Sequence, residues 1–443
     1  MHSVRHMRML TKQGWDVHVF PTYRTTIHPE MRDVTAYYLS SAARKLPQQS
    51  VRIRSLLPFP NKGFWLEENF DARWPAWRLQ WLVRVIHEIQ PDIIHSQTMF
   101  GAGYLTLDAK HEFERLYPKL QFPVWIASNW GIDISYYGRL SFHKQKIKEV
   151  LAACDCYTCE CERDVALARS YGFKGKMLPV LPIGGGFDLA QIHKARQSLS
   201  PSKRRVIIVK GYQNVIGRAS VALRACELAA NVLKGYEIVV ILADKEIVPV
   251  LAELTTESTG IPIKLVSNTT YDEILNLYGQ ARVYIGLSAA DGISTSLLEA
   301  MAMGAFPIQS NTACANEWVI DSETAFLVHP DDSSDVAKAL RQAILDDALV
   351  DRAAKINMQT VDDHLDETVI EVKVAAIYED IIRSKAELIA ARPIRFIERR
   401  RTLHAIVLRI RPIVRRILPG LAYRFLRSHL RKLFEGSSQE EKE

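Results

Sequence analysis

Two carboxylates eight positions apart, Asp291 and Glu299, flank the start of a short apolar helix pattern in RVYIGLSAADGISTSLLEAMAMGAFPIQS. Carboxylates suit sugar and ribose hydroxyls because each accepts two or more hydrogen bonds. Between them Gly292, Ile293, Ser294 and Thr295 lie where a strand turns into a helix. Such a turn offers backbone N–H groups and the positive end of a helix dipole to an anion, with phosphate the natural guest. Ser294 or Thr295 is the expected cap and Gly304 the expected stop. The spacing by itself also fits two solvated acids beside a helix start. Lys210 and Arg218 follow another strand pattern, VIIVKG, and either cation could offset the charge of a leaving group or simply be solvated. His95 ends DIIHS, and Trp130, Gly131 and Asp133 follow VWIAS, so all four sit at carboxyl ends of strands, facing a cleft. His95 and Asp133 are candidates to touch a bound ligand; His95 also reads as a strand-end histidine satisfied by backbone.

Other side-chain groupings point away from chemistry. In CDCYTCEC, a strand would put Cys154 and Cys156 on one face and Cys159 and Cys161 on the other. One tetrahedral ion could not collect all four without a turn, so small buried thiols are expected. The LPIGGGFD stretch lacks the G-x-G-x-x-G spacing and is expected to give interdomain flexibility. Trp74, Trp77 and Trp81 recur at helical spacing and are expected in a core.

Short apolar runs alternate with helical patterns through most of the chain, which is the mark of βαβ units and parallel sheets. Strands are predicted at DIIHS, VWIAS, VIIVKG, YEIVVILA and RVYIGLS, and helices at 78–90 and 219–233. The fold class is α/β: an N-terminal Rossmann-like domain over 1–190, a linker over 191–202, a second Rossmann-like domain over 203–370, a returning helix over 371–390 and a basic amphipathic tail over 391–443. The chain opens with a helix pattern to Lys12, a Gly14 stop and then a strand, as if in the middle of a βαβ unit. The strand before that helix is normally central, so the true product is expected to start upstream of Met1 or the sequence to be a fragment; if the chain begins here, a central gap is expected to expose two strand edges and weaken the first domain.

The chain has 443 residues, ordinary globular proportions and a formal charge of +7. Residues 392–432 carry a net +12 and 435–443 a net −3, leaving the first 391 residues at −2. All the basic character therefore sits in the tail, and no groove-reading motif accompanies it, so nucleic acid is not an expected partner. Six cysteines in a chain this long do not make a disulfide scaffold. No bilayer-length apolar run and no secretory leader at Met1 are found, so a cytoplasmic location is expected. In the tail, Leu403, Ile406, Ile410, Ile413 and Ile417 recur on one side while Arg409, Arg415 and Arg416 fall elsewhere. That suits an anionic membrane surface, here the inner face of the plasma membrane, or a helix packed on the protein's own body.

The segment DGISTSLLEAMAMGAFPIQ resembles the donor-site motif of glycosyltransferase family 4, the group 1 glycosyl transferases, retaining enzymes of the GT-B fold. Their usual pattern is close to EGFGxxxLEAMAxGxPVV; here Asp291 stands at the first Glu and Glu299 matches the second. The block NEWVIDSETAFLVHPDDSSDVAKAL resembles the family's next one, with Ala325 at its glycine position, and a looser likeness runs from His6 to Ile382. The resemblance implies two domains facing a cleft, with Glu299 on the nucleotide ribose and with Asp291 and the N–H groups of Gly292 to Ser294 on the transferred sugar and its diphosphate. Lys210 and Arg218 answer to the family's diphosphate-neutralising pair, in changed order and at a longer gap. Trp130, Gly131 and Asp133 resemble its HG-x-D segment, with Trp130 at the histidine position, which makes His95, Trp130 and Gly131 acceptor-side candidates and lets His95 and Asp133 touch an acceptor or the transferred sugar. The implied activity is transfer of a sugar from a nucleotide diphosphate sugar, with retention, with no cofactor or metal, Asp291 and Asp133 being the candidate catalytic carboxylates. Together with the tail, it points to a lipid-linked saccharide or cell-surface glycan as acceptor. A GT-B epimerase or phosphorylase, and a nucleotide-sugar-binding protein without turnover, remain open alternatives.

Overall fold

The computed structural model describes residues 2–23, 25–40, 50–57, 74, 76–182, 184–267 and 269–392. The chain divides into a body, Met1–Ala390, and a C-terminal unit, Ala391–Glu443. The expected basic tail therefore lies, from residue 393 onward, outside the described residues. Among the described residues no helix is long and apolar enough to cross a membrane.

The body holds three parallel sheets. Strands β1 (Val17–Val19), β2 (Val34–Ser40) and β3 (Arg52–Leu57) form one, in that order. Strands β4 (Ile93–Ser96), β5 (Val124–Ser128), β6 (Cys156–Thr158) and β7 (Lys176–Met177) form a second. The third has the order β10 (Ile263–Val266), β9 (Glu237–Ile241), β8 (Val206–Lys210), β11 (Ala281–Gly286), β12 (Phe306–Ser310), β13 (Phe326–Val328). Among the described residues β1 pairs with β2 and β4 with β5, and no pairing joins β1 to β4, so the first lobe carries two separate sheets, in line with the expected gap and its two strand edges. The predicted strands and helices fall close to where their periodicity put them. Burial on both faces explains why: every residue of β5, β11 and β12 is buried, which demands the continuous apolar runs seen in the sequence.

The paired strand in CDCYTCEC is confined to Cys156–Thr158, with Cys154 closing the helix Ser141–Ala153 and Cys161 opening the helix Glu162–Ser170. The face assignment read from strand alternation is therefore corrected: Cys156 and Cys161 share one core cluster, Cys154 and Cys159 another. All four are buried free thiols. Trp77 and Trp81 are core residues, while Trp74 is 43% exposed.

The segment expected as a linker is packed. Helix Leu189–Ala195 extends into it, and Arg196 just beyond donates to both Asp362 oxygens at 2.8 and 2.7 Å and to the Ala302 carbonyl. Gly186 has φ +75°, and a Cβ there would lie 2.6 Å from the Leu365 carbonyl oxygen, so only glycine lets the chain pass the turn into helix Glu367–Arg383. That helix returns to the first lobe. Glu371 accepts from Lys12 at 2.9 Å and Asp380 from Lys176 at 2.5 Å, and the Tyr378 hydroxyl is hydrogen-bonded to His6 at 3.0 Å. One core cluster, including Met9, Ile126, Ile208, Leu297 and Val374, runs through both lobes.

At the opposite end of β11 from the motif, Arg282 is 1% exposed and holds four acceptors: the carbonyls of Ser202, Ala343 and Ile344 and the Asp347 carboxylate. Two of these carbonyls end helix Ser333–Leu345, where a cation opposes the negative end of the dipole. Arg282→Met strands buried acceptors and is expected to cost about 2–4 kcal/mol in urea unfolding of the full chain. Asp347→Asn, at an exposed partner, should cost far less; equal losses would contradict this account.

Candidate donor site

In the six-stranded sheet the chain order reverses between β8 and β11, the switch point at which doubly wound sheets open a crevice beyond their carboxyl ends. Val209 pairs with Ile285, so Lys210 and Gly286 leave the sheet side by side. Lys210 Nζ consequently donates to Ser294 Oγ at 3.2 Å and lies 3.8 Å from Asp291 Oδ2. The helix runs Thr295–Ala302, with Ser294 at the cap position, but the Ser294 side chain makes no bond to the helix amides. The first amides of a helix lack intrahelical partners. Because Ser294 faces Lys210 instead, it does not spend them, and the cation and the helix terminus lie at one corner.

Asp291 Oδ1 accepts from the Gly292 amide at 2.9 Å. Glu299 stands on the helix facing the same crevice, and burial pushes its carboxyl up to about 7 against the opposing pull of Arg5 and Lys210. Arg5 was missed by sequence reasoning. It comes from the N-terminal helix His2–Lys12, its guanidinium lies 5.3 Å from the Tyr271 ring centroid, and it lines a small hollow with Glu160, Gly184, Ile293 and Thr295. Only a basic residue on the apolar face of that helix could have signalled it.

Arg218 is not brought to this corner. Its Nε donates to Asp331 at 2.5 Å and its Nη1 to the carbonyls of its own loop, 214–217, so it holds the loop that folds over β11. The loop is tight: a Cβ at Gly217 would meet the Tyr212 carbonyl oxygen at 2.3 Å.

Across the cleft, Gly131 has φ +50° and a Cβ there would lie 3.1 Å from Asp291 Oδ1, while one at Gly292 would lie 3.1 Å from Gly131 Cα. These glycines let the loops of the two lobes lie directly against each other. Asp133 is buried and accepts from the amides of Met99 at 2.8 Å and Trp130 at 3.2 Å. Burial pushes its carboxyl up to about 6 despite those donors. It therefore ties the loop after β4 to the loop after β5. His95 Nε2 pairs with Ser128 Oγ at 2.8 Å and Nδ1 with the Tyr378 hydroxyl at 2.5 Å. Burial holds its imidazole well below the ordinary range, and that of His6 at about 4, so both rings are neutral at pH 7. His95 and Trp130 line a second small hollow together with Gln97, Ser128 and Thr158.

Among the described residues one group has the spacing to share a metal ion, Cys161, Cys314 and Glu317. The Glu317 carboxylate already accepts from the amides of Glu162 and Arg163 at 3.0 and 3.3 Å. A dication there would face the Arg163 guanidinium, so this donor set fits a cation poorly.

Residues 192–360 match the family model of the glycosyl transferases group 1, so the second lobe carries a glycosyltransferase domain. No curated protein sequence matches the chain. Solved structures similar to it include a sucrose-phosphate synthase from Thermosynechococcus elongatus, at 15% identity and TM-score 0.62, covering 86% of this chain and 92% of that one. Anabaena HepE in complex with UDP-glucose gives 15% and 0.58, covering 79% and 92%. A glycosyltransferase from Rickettsia africae gives 14% and 0.57, covering 86% and 94%. At these identities the likeness establishes the fold, which is that of the GT-B glycosyltransferases.

The Glu299 carboxyl is expected to titrate near 7 in the ligand-free chain, read as the wild-type minus Glu299→Gln difference in carboxyl infrared absorption. Lys210→Met and Arg5→Met each remove a charge that favours the ionised form and should move the midpoint upward. A midpoint in the ordinary carboxylate range, unmoved by either variant, contradicts the site geometry.

Proposed function

We propose that the chain transfers a sugar from a nucleoside diphosphate sugar to an acceptor, with retention of anomeric configuration. The observation that carries this reading is the corner formed by Lys210, Asp291, Ser294 and the start of the helix Thr295–Ala302. Neighbours of the same fold contain UDP-glucose in Anabaena HepE and UDP with GlcNAc in the pneumococcal O-GlcNAc transferase GtfA, which makes UDP-sugars the first donors to test. Retention rests on the likeness of residues 291–309 to family 4. The acceptor class, a lipid-linked saccharide or cell-surface glycan, rests on the basic tail, which would hold the enzyme peripherally on an anionic membrane.

In this reading the difficult charge is the one that grows on the departing diphosphate. The Lys210 ammonium and the helix amides stand fixed where it develops, so little reorganisation accompanies bond breaking. Glu299, ionised, accepts from the ribose hydroxyls, and Asp291 contacts the sugar. Asp133 keeps the first-lobe loops in place beneath the acceptor-side hollow, where Trp130 and Gly131 present the acceptor, and His95, locked between Ser128 and Tyr378, shapes its wall.

Donor binding depends on pH with a definite sign. The Glu299 carboxyl is raised to about 7, so acidification below that value protonates it and removes acceptor capacity from the ribose contact. Donor KM should therefore rise as pH falls through 7, and Glu299→Gln should flatten the profile at a weakened level. Lys210→Ala is expected to lower kcat by about 10²–10³-fold, the loss typical of one fixed donor at a developing oxyanion. Transfer to an added acceptor, measured by product mass, checks both; unaltered transfer by Lys210→Ala, Asp291→Asn and Glu299→Gln refutes the site.

A further inference from the structure

We propose that Arg163, on the first lobe, is a positioning residue for the donor loop of the second. This rests on the donor-site reading above. Arg163 lies in the first turn of helix Glu162–Ser170, after β6. Its Nη2 donates to the Asp291 carbonyl oxygen at 2.9 Å and its Nη1 to that of Thr312 at 3.2 Å. It thus holds the backbone of the motif's first acid and of the loop after β12 with one planar group, a geometry that lysine cannot reproduce.

The guanidinium is itself fixed from behind. Nε donates to Asp164 Oδ1 at 2.9 Å, and buried Asp164 accepts at Oδ2 from Asn129 Nδ2 at 2.7 Å. The Tyr157 hydroxyl donates to Asn129 Oδ1. Asn129 directly precedes Trp130 and Gly131, so a continuous polar chain links the loop after β5 to the Asp291 loop. The other direction is covered too, since Glu317 of the second lobe caps the first-lobe helix at the amides of Glu162 and Arg163. Beside it the Cys161 and Cys314 sulfurs are 2.7 Å apart, and the Cys314 amide donates to the Gly292 carbonyl at 3.0 Å. The Asp291–Ser294 loop is consequently complete only while Arg163 spans the seam. Arg163 is far in sequence from every donor-motif residue, which is why spacing could not reveal it.

Such a role weakens what the Asp291–Ser294 loop holds, the diphosphate and sugar, and spares what Glu299 holds, the ribose. The test measures calorimetric binding to the full chain of UDP-, ADP- and GDP-hexoses and of the matching nucleoside monophosphates, for wild type, Arg163→Ala and Arg163→Lys. Arg163→Lys keeps a cation beside buried Asp164 and guards against loss of the fold. The expected result is a selective weakening of the diphosphate sugar by about tenfold in Arg163→Ala, partial recovery in Arg163→Lys, and monophosphate binding unchanged. Equal binding of both ligands by all three proteins overturns the proposal. So does parallel weakening of both ligands that tracks a lowered melting temperature, which marks a structural role alone. A wild-type chain that binds no nucleotide sugar overturns the donor-site reading itself and this proposal with it.

Discussion

Everything at the site follows from one lysine ammonium being withdrawn from water at the point where a parallel sheet reverses its winding. The Lys210 side chain is 13% exposed. A cation so placed is costly unless it is matched, and the match here is shared between a hydroxyl at 3.2 Å and a carboxylate at 3.8 Å, with the Tyr212 ring centroid 5.0 Å away. Neither is a close bidentate pair. The charge is therefore only partly answered from within the protein, and the same cation bears on Glu299 across the crevice. An anionic ligand that brings its own oxygens to this corner satisfies both the ammonium and the helix amides. That complementarity, more than any single residue type, is what supports the proposal of a diphosphate site.

The second requirement is that the two lobes meet in close contact. Gly131 and Gly292 provide it at the mouth of the crevice, and the neutral cluster of His6, His95 and Tyr378 provides it at the back. The latter joins the N-terminal helix, β4 and the returning helix through one hydroxyl. Because burial keeps both imidazoles uncharged, the junction adds no ionic cost to the core that runs through it. The lobes are thereby fastened on the side away from the ligand, so that the loops at the front can be set by contacts such as those of Asp133 within the first lobe.

Much of this was legible in the sequence because parallel strands buried on both faces need continuous apolar runs. VWIAS and RVYIG declared themselves that way, and DGISTSLLEAMAMG declared a strand-to-helix turn with its two acids. Three things were not legible. Arg218 follows a strand as Lys210 does, yet the tight turn at Gly217 bends its side chain back onto its own loop, and no local pattern encodes that bend. The cap assignment of Ser294 was right in position but not in partner, since the hydroxyl turns to a lysine 84 residues away in sequence. Arg5, likewise, belongs to the site only because a helix from the other lobe leans over it.

The central claim is that Lys210 and the start of the helix at Thr295 grip a diphosphate between them. A crystal structure of the full chain soaked with the nucleotide sugar it binds tests this most directly. The account predicts phosphate oxygens within hydrogen-bond distance of Lys210 Nζ and of the amides of residues 293–295, with the ribose on Glu299. A well-ordered nucleotide sugar bound away from that corner, with Lys210 still paired to Ser294, would contradict it.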